Sequence, residues 1–320
     1  MLELRQIQAE LDDVHKWLWN NPPDGINRKE RRRQMERIQK VCEELSASTY
    51  LDYMAAWENS DSTADQLETT HPALYYLRKA TLHAMQDIRQ TTVTQGVAVW
   101  YLYNMGYVFK TPDTCFGIDL HLRDAETLAD ELDFLLITHS HRDHYTESLL
   151  NAMIAVNKPV ITRWYPGSTI VKRPEEFRFG DVRVKIDLGD HRLFFPLNNM
   201  LMFQVDCGKS ANYCTIYHSG DGSRIKKMQP DKPVDIFILH VQLFMMSVEG
   251  AIKHIKPCIA FVSHTLELSH SPKLPLRWSF DYAFKKINNI PETEATVLTW
   301  GERWLLPGTV LHRSKSGETE

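Results

Sequence analysis

The first quarter of the chain has a helical pattern of apolar positions. Apolar residues recur at three- and four-residue intervals along its first 20 residues: Leu4, Ile7, Leu11, Val14 and Leu18. Similar spacing predicts further helices at residues 27–45, 50–57 and 72–88. Amphipathic helices must bury their apolar faces. We therefore predict a helical extension over residues 1–92 that packs on the rest of the chain, on a second copy of it, or over a functional site as a lid.

From residue 93 onwards, short apolar runs and strict alternation replace the helical pattern. They predict strands at residues 97–103, 106–110, 116–119, 134–137, 159–162, 176–189, 215–221, 234–240 and 258–262. Two helices are predicted at residues 147–156 and 247–256. This part of the chain is assigned to a second domain over residues 93–312, followed by a polar tail over residues 313–320.

Composition narrows the class of protein. The chain has 320 residues, 43% of them hydrophobic, which is enough for a sizeable core. The formal net charge of −4 argues against a general nucleic-acid binder. No apolar run approaches the roughly 20 residues of a membrane span. The N-terminus lacks the pattern of a secretion signal, and five scattered cysteines do not suggest a disulfide framework, so we expect a cytoplasmic protein.

Four side chains able to bind metal follow the apolar run at residues 134–137. His139, His141, Asp143 and His144 fall within six positions, just before a predicted helix. Neutral imidazole and carboxylate are ligands of zinc and other first-row divalent ions. His139 and His141 can turn towards one ion and leave Asp143 and His144 to face a second. The alternative is a polar loop whose histidines only cap the helix, but that leaves four ligand-type residues without a packing role.

This run is identified as the His-x-His-x-Asp-His signature of the metallo-β-lactamase superfamily. The resemblance covers residues 97–299 and implies an α/β fold, a four-layer αββα sandwich, to which the helical extension is added. It also implies three further metal ligands downstream, namely His191, Asp221 and His264. His191 is the only histidine between the signature and His218, Asp221 follows the flexible Gly220, and His264 follows a short apolar strand.

Other polar residues have a second interpretation. In the family, the aspartate in the position of Asp119 supports the metal-binding loop, although it is also an ordinary residue for a strand end. His218 is interpreted as a structural neighbour, while His240 and His270 compete as residues that line the site. The basic cluster at residues 28–33 is either an anion- or RNA-contacting patch or a solvated helix face, and nearby acidic residues favour the latter.

The resemblance and the ligand chemistry together predict a dinuclear metal-dependent hydrolase. Two divalent ions, zinc with manganese or iron as alternatives, would generate a metal-bridging hydroxide. We predict a small anionic ester, lactone or phosphoester as the substrate and Asp143 as a catalytic residue. Parts of the second domain are similar to the branch that contains ascorbate-6-phosphate lactonase. Arg142 and Lys209 are candidate cations for an anionic substrate.

Three alternatives remain at this point. A phosphodiesterase or nuclease of the same fold would need a contiguous basic surface, which the net charge disfavours. A non-catalytic metal-binding interaction protein would use the helical extension as its working part. Iron-based redox chemistry, as in the flavodiiron relatives, usually has a carboxylate where this chain has His141. The expected partners are a small-molecule substrate and a second copy of the chain bound through the N-terminal helices, with neither membrane nor nucleic acid.

Overall fold

The computed structural model describes residues 2–59, 62–191, 198–242, 247–274 and 276–313. Arg313 is the last described residue, so the rest of the predicted polar tail lies outside the described part of the chain.

Eight α-helices lie in the described residues. Five belong to the predicted helical extension: Leu2–Asn20 (α1), Arg28–Glu44 (α2), Ala47–Glu58 (α3), Thr63–Thr70 (α4) and Pro72–Gln90 (α5). Three follow in the second part: Glu147–Ala155 (α6), Val248–Ile255 (α7) and Phe280–Lys286 (α8). The sequence did not predict α4 and α8, which have only 8 and 7 residues and therefore little apolar periodicity. The boundary at residue 92 stays a prediction.

Two seven-stranded sheets and one two-stranded ribbon account for the described strands. The first sheet has the order β15-β2-β3-β4-β5-β6-β7 and the second β14-β13-β12-β11-β10-β9-β8, while β1 pairs with β16. Their bounds are Thr91–Gln95 (β1), Ala98–Tyr101 (β2), Tyr107–Lys110 (β3), Cys115–Ile118 (β4), Phe134–Leu136 (β5), Val160–Thr162 (β6), Thr169–Ile170 (β7), Glu175–Phe179 (β8), Val182–Gly189 (β9), Met200–Asp206 (β10), Thr215–His218 (β11), Ile236–His240 (β12), Ile259–Ser263 (β13), Ala295–Thr296 (β14), Arg303–Leu305 (β15) and Val310–Arg313 (β16).

The strand predicted over residues 176–189 is two strands. β8 and β9 form an antiparallel hairpin that turns at Gly180, whose φ is +57°. The alternation of apolar residues continues across the turn, so periodicity alone could not reveal it. β10 was also missed. All its residues are buried between β9 and β11, so it has no alternating polar face to mark it as a strand.

A stack of aromatic rings joins the two sheets. Phe116 on β4 and Phe134 on β5 have ring centroids 4.8 Å apart, and Phe134 lies 4.2 Å from Phe179 on β8 of the other sheet. Residues of α5 and α6 bury their apolar sides on the outer face of the first sheet. α7 packs on β12 of the second. The predicted four-layer αββα sandwich is confirmed.

The N-terminal helices share the sandwich's core. Leu11, Val14 and Leu18 of α1 are buried in the same cluster as residues of both sheets. Leu82 of α5, by contrast, is 43% exposed. The structure therefore supports packing of the extension on the sandwich, the first of the three predicted placements.

The basic cluster at residues 28–33 is neither an open patch nor a fully solvated face. Arg31 is buried, and its guanidinium donates two hydrogen bonds to the carboxylate of Glu302 at 2.6 and 2.5 Å. Arg28 pairs with Glu292, and Arg32 lies over the ring of Phe284. Part of the cluster thus attaches α2 to the sandwich, which the helical pattern could not show.

Within the described residues, no helix is long and apolar enough to cross a membrane.

Candidate metal centre

The predicted ligands lie at the ends of strands from both sheets. His139 follows β5 of the first sheet, whereas Asp221 and His264 follow β11 and β13 of the second. β11, β12 and β13 are parallel neighbours, so their carboxyl ends meet at one edge. His191 reaches the same place two residues after β9. The centre therefore lies where corresponding edges of the two sheets face each other.

The structure brings together all seven residues predicted to bind metal. They form two groups whose ligand atoms lie within 4.8 Å of one another: His139, His141, His191 and Asp221 in one, and Asp143, His144 and His264 in the other. The sequence likewise predicts that His139 and His141 face one ion and that Asp143 and His144 face another. A third group contains Asp221, His264 and His240.

One carboxylate oxygen occupies the middle of the cluster. Oδ2 of Asp221 lies 3.4 Å from Nε2 of His144, 3.6 Å from Nε2 of His139 and 3.7 Å from Nε2 of His264. Nδ1 of His191 is 3.9 Å away. Nitrogens of both main groups thus surround the same oxygen.

Several ligand-type atoms of the cluster are buried without a hydrogen-bond partner among the described residues. They are Nε2 of His139 and His144, Nδ1 of His191, and Oδ1 of Asp221. Buried polar atoms are nearly always satisfied, and an ion is one established reason for an exception. Imidazole nitrogens and carboxylate oxygens are also the donors that zinc and related ions prefer. The residues therefore fit a divalent metal centre.

Asp119 holds the loop that carries the signature. Its Oδ1 accepts the backbone N–H of Thr138 at 2.8 Å, and its Oδ2 accepts the Thr138 hydroxyl at 2.7 Å. Nδ1 of His144 lies 2.9 Å from Oδ2. Because a carboxylate only accepts, Nδ1 carries the hydrogen and Nε2 is left as the ligand atom in the neutral ring. This is the supporting role that the resemblance implied.

Left-handed backbone conformations concentrate around the centre. Asn104, Asp119 and His264 have φ values of 55°, 51° and 64°, and Gly220 has 51°. Such conformations are costly for residues other than glycine and persist at functional sites. A Cβ atom on Gly220 would lie only 2.9 Å from both Cβ and Cγ2 of the β-branched Thr138, so glycine is also required for the close turn before Asp221.

The charges of the cluster are strongly coupled. Burial disfavours ionisation of Asp143 and Asp221, but His144 and His264 reverse this effect and hold the pKa of both carboxyls well below the usual range. Burial, reinforced by His144, His191 and His141, lowers the pKa of His139 well below its usual value. Burial would also lower the pKa of His144, but the carboxylates of Asp221, Asp143 and Asp119 raise it well above normal.

Metal affinity is expected to rise with pH. The raised pKa of His144 favours the protonated ring in the metal-free protein, and this proton must leave before Nε2 can bind an ion. Acidification therefore weakens binding, by about tenfold per pH unit for each proton released. A competition titration of Zn²⁺ against a chromogenic chelator between about pH 6 and pH 8 measures this slope. An affinity that does not change with pH would contradict the assignment of His144.

The histidines that were not predicted to be ligands have different surroundings. His240 is buried, and its ring centroid lies 4.2 Å from that of His264. His270 instead pairs through Nδ1 with Glu267 at 2.6 Å. His218 is structural, as predicted, because Nε2 bonds the carbonyl of Met105 and Nδ1 accepts the N–H of Gly220.

Asn104 was missed by the sequence analysis. Its Nδ2 donates to Oδ2 of Asp143 at 2.8 Å, and its carbonyl accepts the backbone N–H of His264. It therefore positions members of one ligand group from a hairpin turn. The sequence showed only a turn residue at this position, and nothing in its local pattern marks the contact.

The N-terminal helix α3 reaches the signature loop. Glu58 pairs with Arg142, and the Tyr50 hydroxyl lies 3.2 Å from Nε2 of His121, whose Nδ1 is 3.0 Å from the carbonyl of Tyr145. Arg142 is thus already engaged by a carboxylate. The first residue of β10 pairs with the last residue of β9, the strand that leads to His191, so β10 begins near the centre and ends away from it. Lys209 follows the end of β10 and therefore lies at the opposite end of the sheet. The prediction for Lys209 is therefore wrong, whereas Arg142 lies on the signature loop and is paired there with Glu58.

Comparison with known proteins gives the family. A family model described as a beta-lactamase superfamily domain matches residues 83–259. No curated protein matches the chain.

Two solved structures show what the fold resembles. One is a "possible metal-dependent hydrolase" from Veillonella parvula DSM 2008, with 15% identity, a TM-score of 0.50, and coverage of 66% of this chain and 100% of that one. Igni18, a metallo hydrolase from Ignicoccus hospitalis KIN4/I, has 14% identity, a TM-score of 0.49, and coverage of 68% and 99%. At such identities these likenesses concern the fold alone. The family model, by contrast, matches more than half of the chain, and the chain therefore belongs to the beta-lactamase superfamily.

Proposed function

We propose that this protein is a dinuclear metal-dependent hydrolase. One ion would be held by His139, His141, His191 and Asp221, and the other by Asp143, His144, His264 and the same Asp221. The position of Asp221 Oδ2 between nitrogens of both groups carries the proposal. The unpartnered buried nitrogens around it support the same conclusion.

The chain's own residues prepare the site for hydrolysis. When bound, two divalent ions would supply an activated water and Lewis-acid stabilisation of the negative charge that develops on the substrate. Asp119 fixes the tautomer of His144, and Asn104 holds Oδ2 of Asp143. Residues supported in this way keep their geometry, so little reorganisation is needed during the reaction.

Elemental analysis tests the metal part of the proposal. A preparation made without chelators is expected to contain about two divalent ions per chain. Zinc is the favoured ion because histidine dominates the donor set, with manganese or iron as alternatives. Less than one ion per chain, with no gain in activity when metal is added, would refute a dinuclear centre.

The proposed substrate is a small anionic ester, lactone or phosphoester, since these groups develop negative charge where the ions lie. Lactones should be screened first, because of the similarity to the ascorbate-6-phosphate lactonase branch, and phosphodiesters next. The rank order of turnover on the metal-loaded protein identifies the bond that is cleaved. Turnover of none of these bonds by a fully loaded protein would refute the hydrolase assignment.

The state of the cysteines bears on the compartment in which the protein works. The five cysteines are free thiols, four of them buried, which supports a reducing compartment such as the cytoplasm.

We also propose a homo-oligomer formed through the N-terminal helices. Leu2 and Leu51 are 90% and 45% exposed there, and light scattering measures the mass in solution.

A further inference from the structure

A cavity of about 530 Å³ lies against Trp278, a neighbour of the metal centre. Its wall includes Gln242, Leu276, Trp278 and Tyr282. Trp278 connects the cavity to the centre, because its ring centroid lies 4.9 Å from that of His240 and 5.8 Å from that of His264. A molecule in the cavity would therefore lie against a ring that contacts the ligand groups.

His240 forms the polar end of this arrangement. One of its ring nitrogens lies within 4.8 Å of ligand atoms of Asp221 and His264. Its Nδ1 accepts the backbone N–H of Gln242 at 2.8 Å, so Nδ1 carries no hydrogen and the neutral ring carries it on Nε2. The Nδ1 lone pair is used by Gln242, and a protonated Nε2 cannot bind metal. The Nε2–H of His240 can therefore donate a hydrogen bond, and His240 is not expected to bind metal.

The wall also contains Glu43, which accepts a hydrogen bond from Gln39, and Ser279, which accepts the backbone N–H of Tyr282, while the remaining wall is suited to hydrocarbon. Leu276 is 39% exposed and Trp278 is half-buried, while the Tyr282 hydroxyl is used by the side chain of Gln242. Arg277 also lines the cavity, but its guanidinium donates to the carbonyls of Cys42 and Leu45 at 2.7 Å each. A further bond goes to the carbonyl of Leu268. Its charge is therefore committed to holding the C-terminal end of α2.

We propose that this cavity is the substrate subsite of the centre and that it binds an apolar, preferably aromatic, group attached to the reacting carbonyl or phosphoryl. His240 donates its N–H to an oxygen of that reacting group, and Trp278 packs against the apolar group. This inference rests on the proposed function and narrows its substrate class. The preferred substrates are esters or phosphoesters whose charged end binds at the ions and whose hydrocarbon end lies on Trp278.

Two non-hydrolysable probes test the subsite on the metal-loaded full chain. Methylphosphonate and phenylphosphonate share an anionic head and differ in the apolar group. Isothermal titration calorimetry is expected to show that phenylphosphonate binds at least about tenfold more tightly than methylphosphonate, because burial of a phenyl ring raises the binding affinity by about that factor or more. Equal affinities for the two probes would overturn the subsite.

Trp278→Leu is expected to lower the ratio of phenylphosphonate affinity to methylphosphonate affinity towards one, and this ratio is the quantity compared between variants. Trp19→Leu is the matched control. Trp19 lines another cavity, of about 590 Å³, and its ring centroid lies 4.1 Å from that of His83, so it has a similar tryptophan–histidine contact away from the centre. If both variants have the same effect, the preference does not arise at Trp278 and the assignment is wrong.

His240→Asn keeps a side-chain acceptor for the N–H of Gln242 but is too short to place a donor at the position of Nε2. It should weaken binding of both phosphonates by about tenfold or more, with metal content unchanged. His240→Gln reaches further and should restore part of the affinity, whereas His83→Asn should change nothing. A fall in metal content in His240→Asn would show a ligand and overturn the donor role, as would unchanged phosphonate affinity.

Failure of the proposed function has a different signature. If the unmodified chain binds less than one ion, the dinuclear centre and this inference fall together. If the chain binds two ions and methylphosphonate but gains nothing from the phenyl group, only the subsite is wrong.

Discussion

Replacing Asp143 with alanine is expected to remove one of the two proposed ions and to lower hydrolysis by more than about 100-fold. Oδ2 of Asp143 lies 3.3 Å from Nε2 of His264 and 3.7 Å from Nε2 of His144, within one ligand group. Loss of an outer partner of a metal ligand already costs about 10–100-fold, so loss of a ligand should cost more. Elemental analysis and turnover measure the two effects.

The Asp143 variant should remain folded, because the carboxylate lies at the rim of the sandwich and not in its core. Circular dichroism and the melting temperature of the metal-free protein check this. Asp113→Ala, at an exposed position in the turn between β3 and β4, is the matched control and should retain both ions. Near-normal turnover with two ions bound in the Asp143 variant would show that this residue is neither ligand nor catalytic.

The second large effect is expected at Glu302. Glu302→Gln leaves the Arg31 guanidinium buried without its carboxylate, and breaking such a pair typically costs about 3–5 kcal/mol. Both side chains are almost fully buried, at 1% and 5% exposure, and the bonds between them are bidentate. Oε2 of Glu302 also accepts the backbone N–H of Thr299 at 2.6 Å. Urea unfolding curves of the variant and the unmodified chain give the difference in free energy of unfolding.

A double variant separates the charge from the packing. Arg31→Met combined with Glu302→Leu removes both charges and should recover much of the stability lost in Glu302→Gln. Arg33→Met is the control on the same helix. Arg33 is 68% exposed and its distance to Glu30 is 3.6 Å, so its loss should cost less than about 1 kcal/mol. A cost at Glu302 no larger than at Arg33 would mean that α2 does not depend on the buried pair.

The candidate ligands that the structure brings together could be predicted because they are marked in the sequence in two ways. Four of them fall within six positions, and Asp221 and His264 each follow a short apolar strand, so the convergence of strand ends predicts that they lie close together. His191 depended on the resemblance, since a histidine after an alternating strand has no distinctive pattern. Supporting residues such as Asn104 carry no comparable sign, because their role is a single contact between segments distant in the chain.

The boundaries of elements followed the strength of their periodicity. Long amphipathic helices such as α1 and α5 were predicted within a few residues. β8 and β9 were predicted as one strand because the turn between them preserves the alternation of apolar and polar residues. β10 was missed because it is buried on both faces and therefore has no such alternation. Short elements such as α8 depend on packing for their stability and leave little trace in the local sequence.

The sequence by itself determined the class of fold, the apolar faces of the helices and the residues of the candidate metal centre. Tertiary structure alone decided that Asp221 lies between the two ligand groups and that Arg31 is buried against Glu302. It also placed His240 and Trp278 beside the centre and excluded His270 from the ligand groups among the described residues. The physical reason is the range of the interactions. Periodicity and local motifs act over a few residues, whereas charge pairing, tautomer choice and cavity walls depend on side chains that only folding brings within a few ångströms.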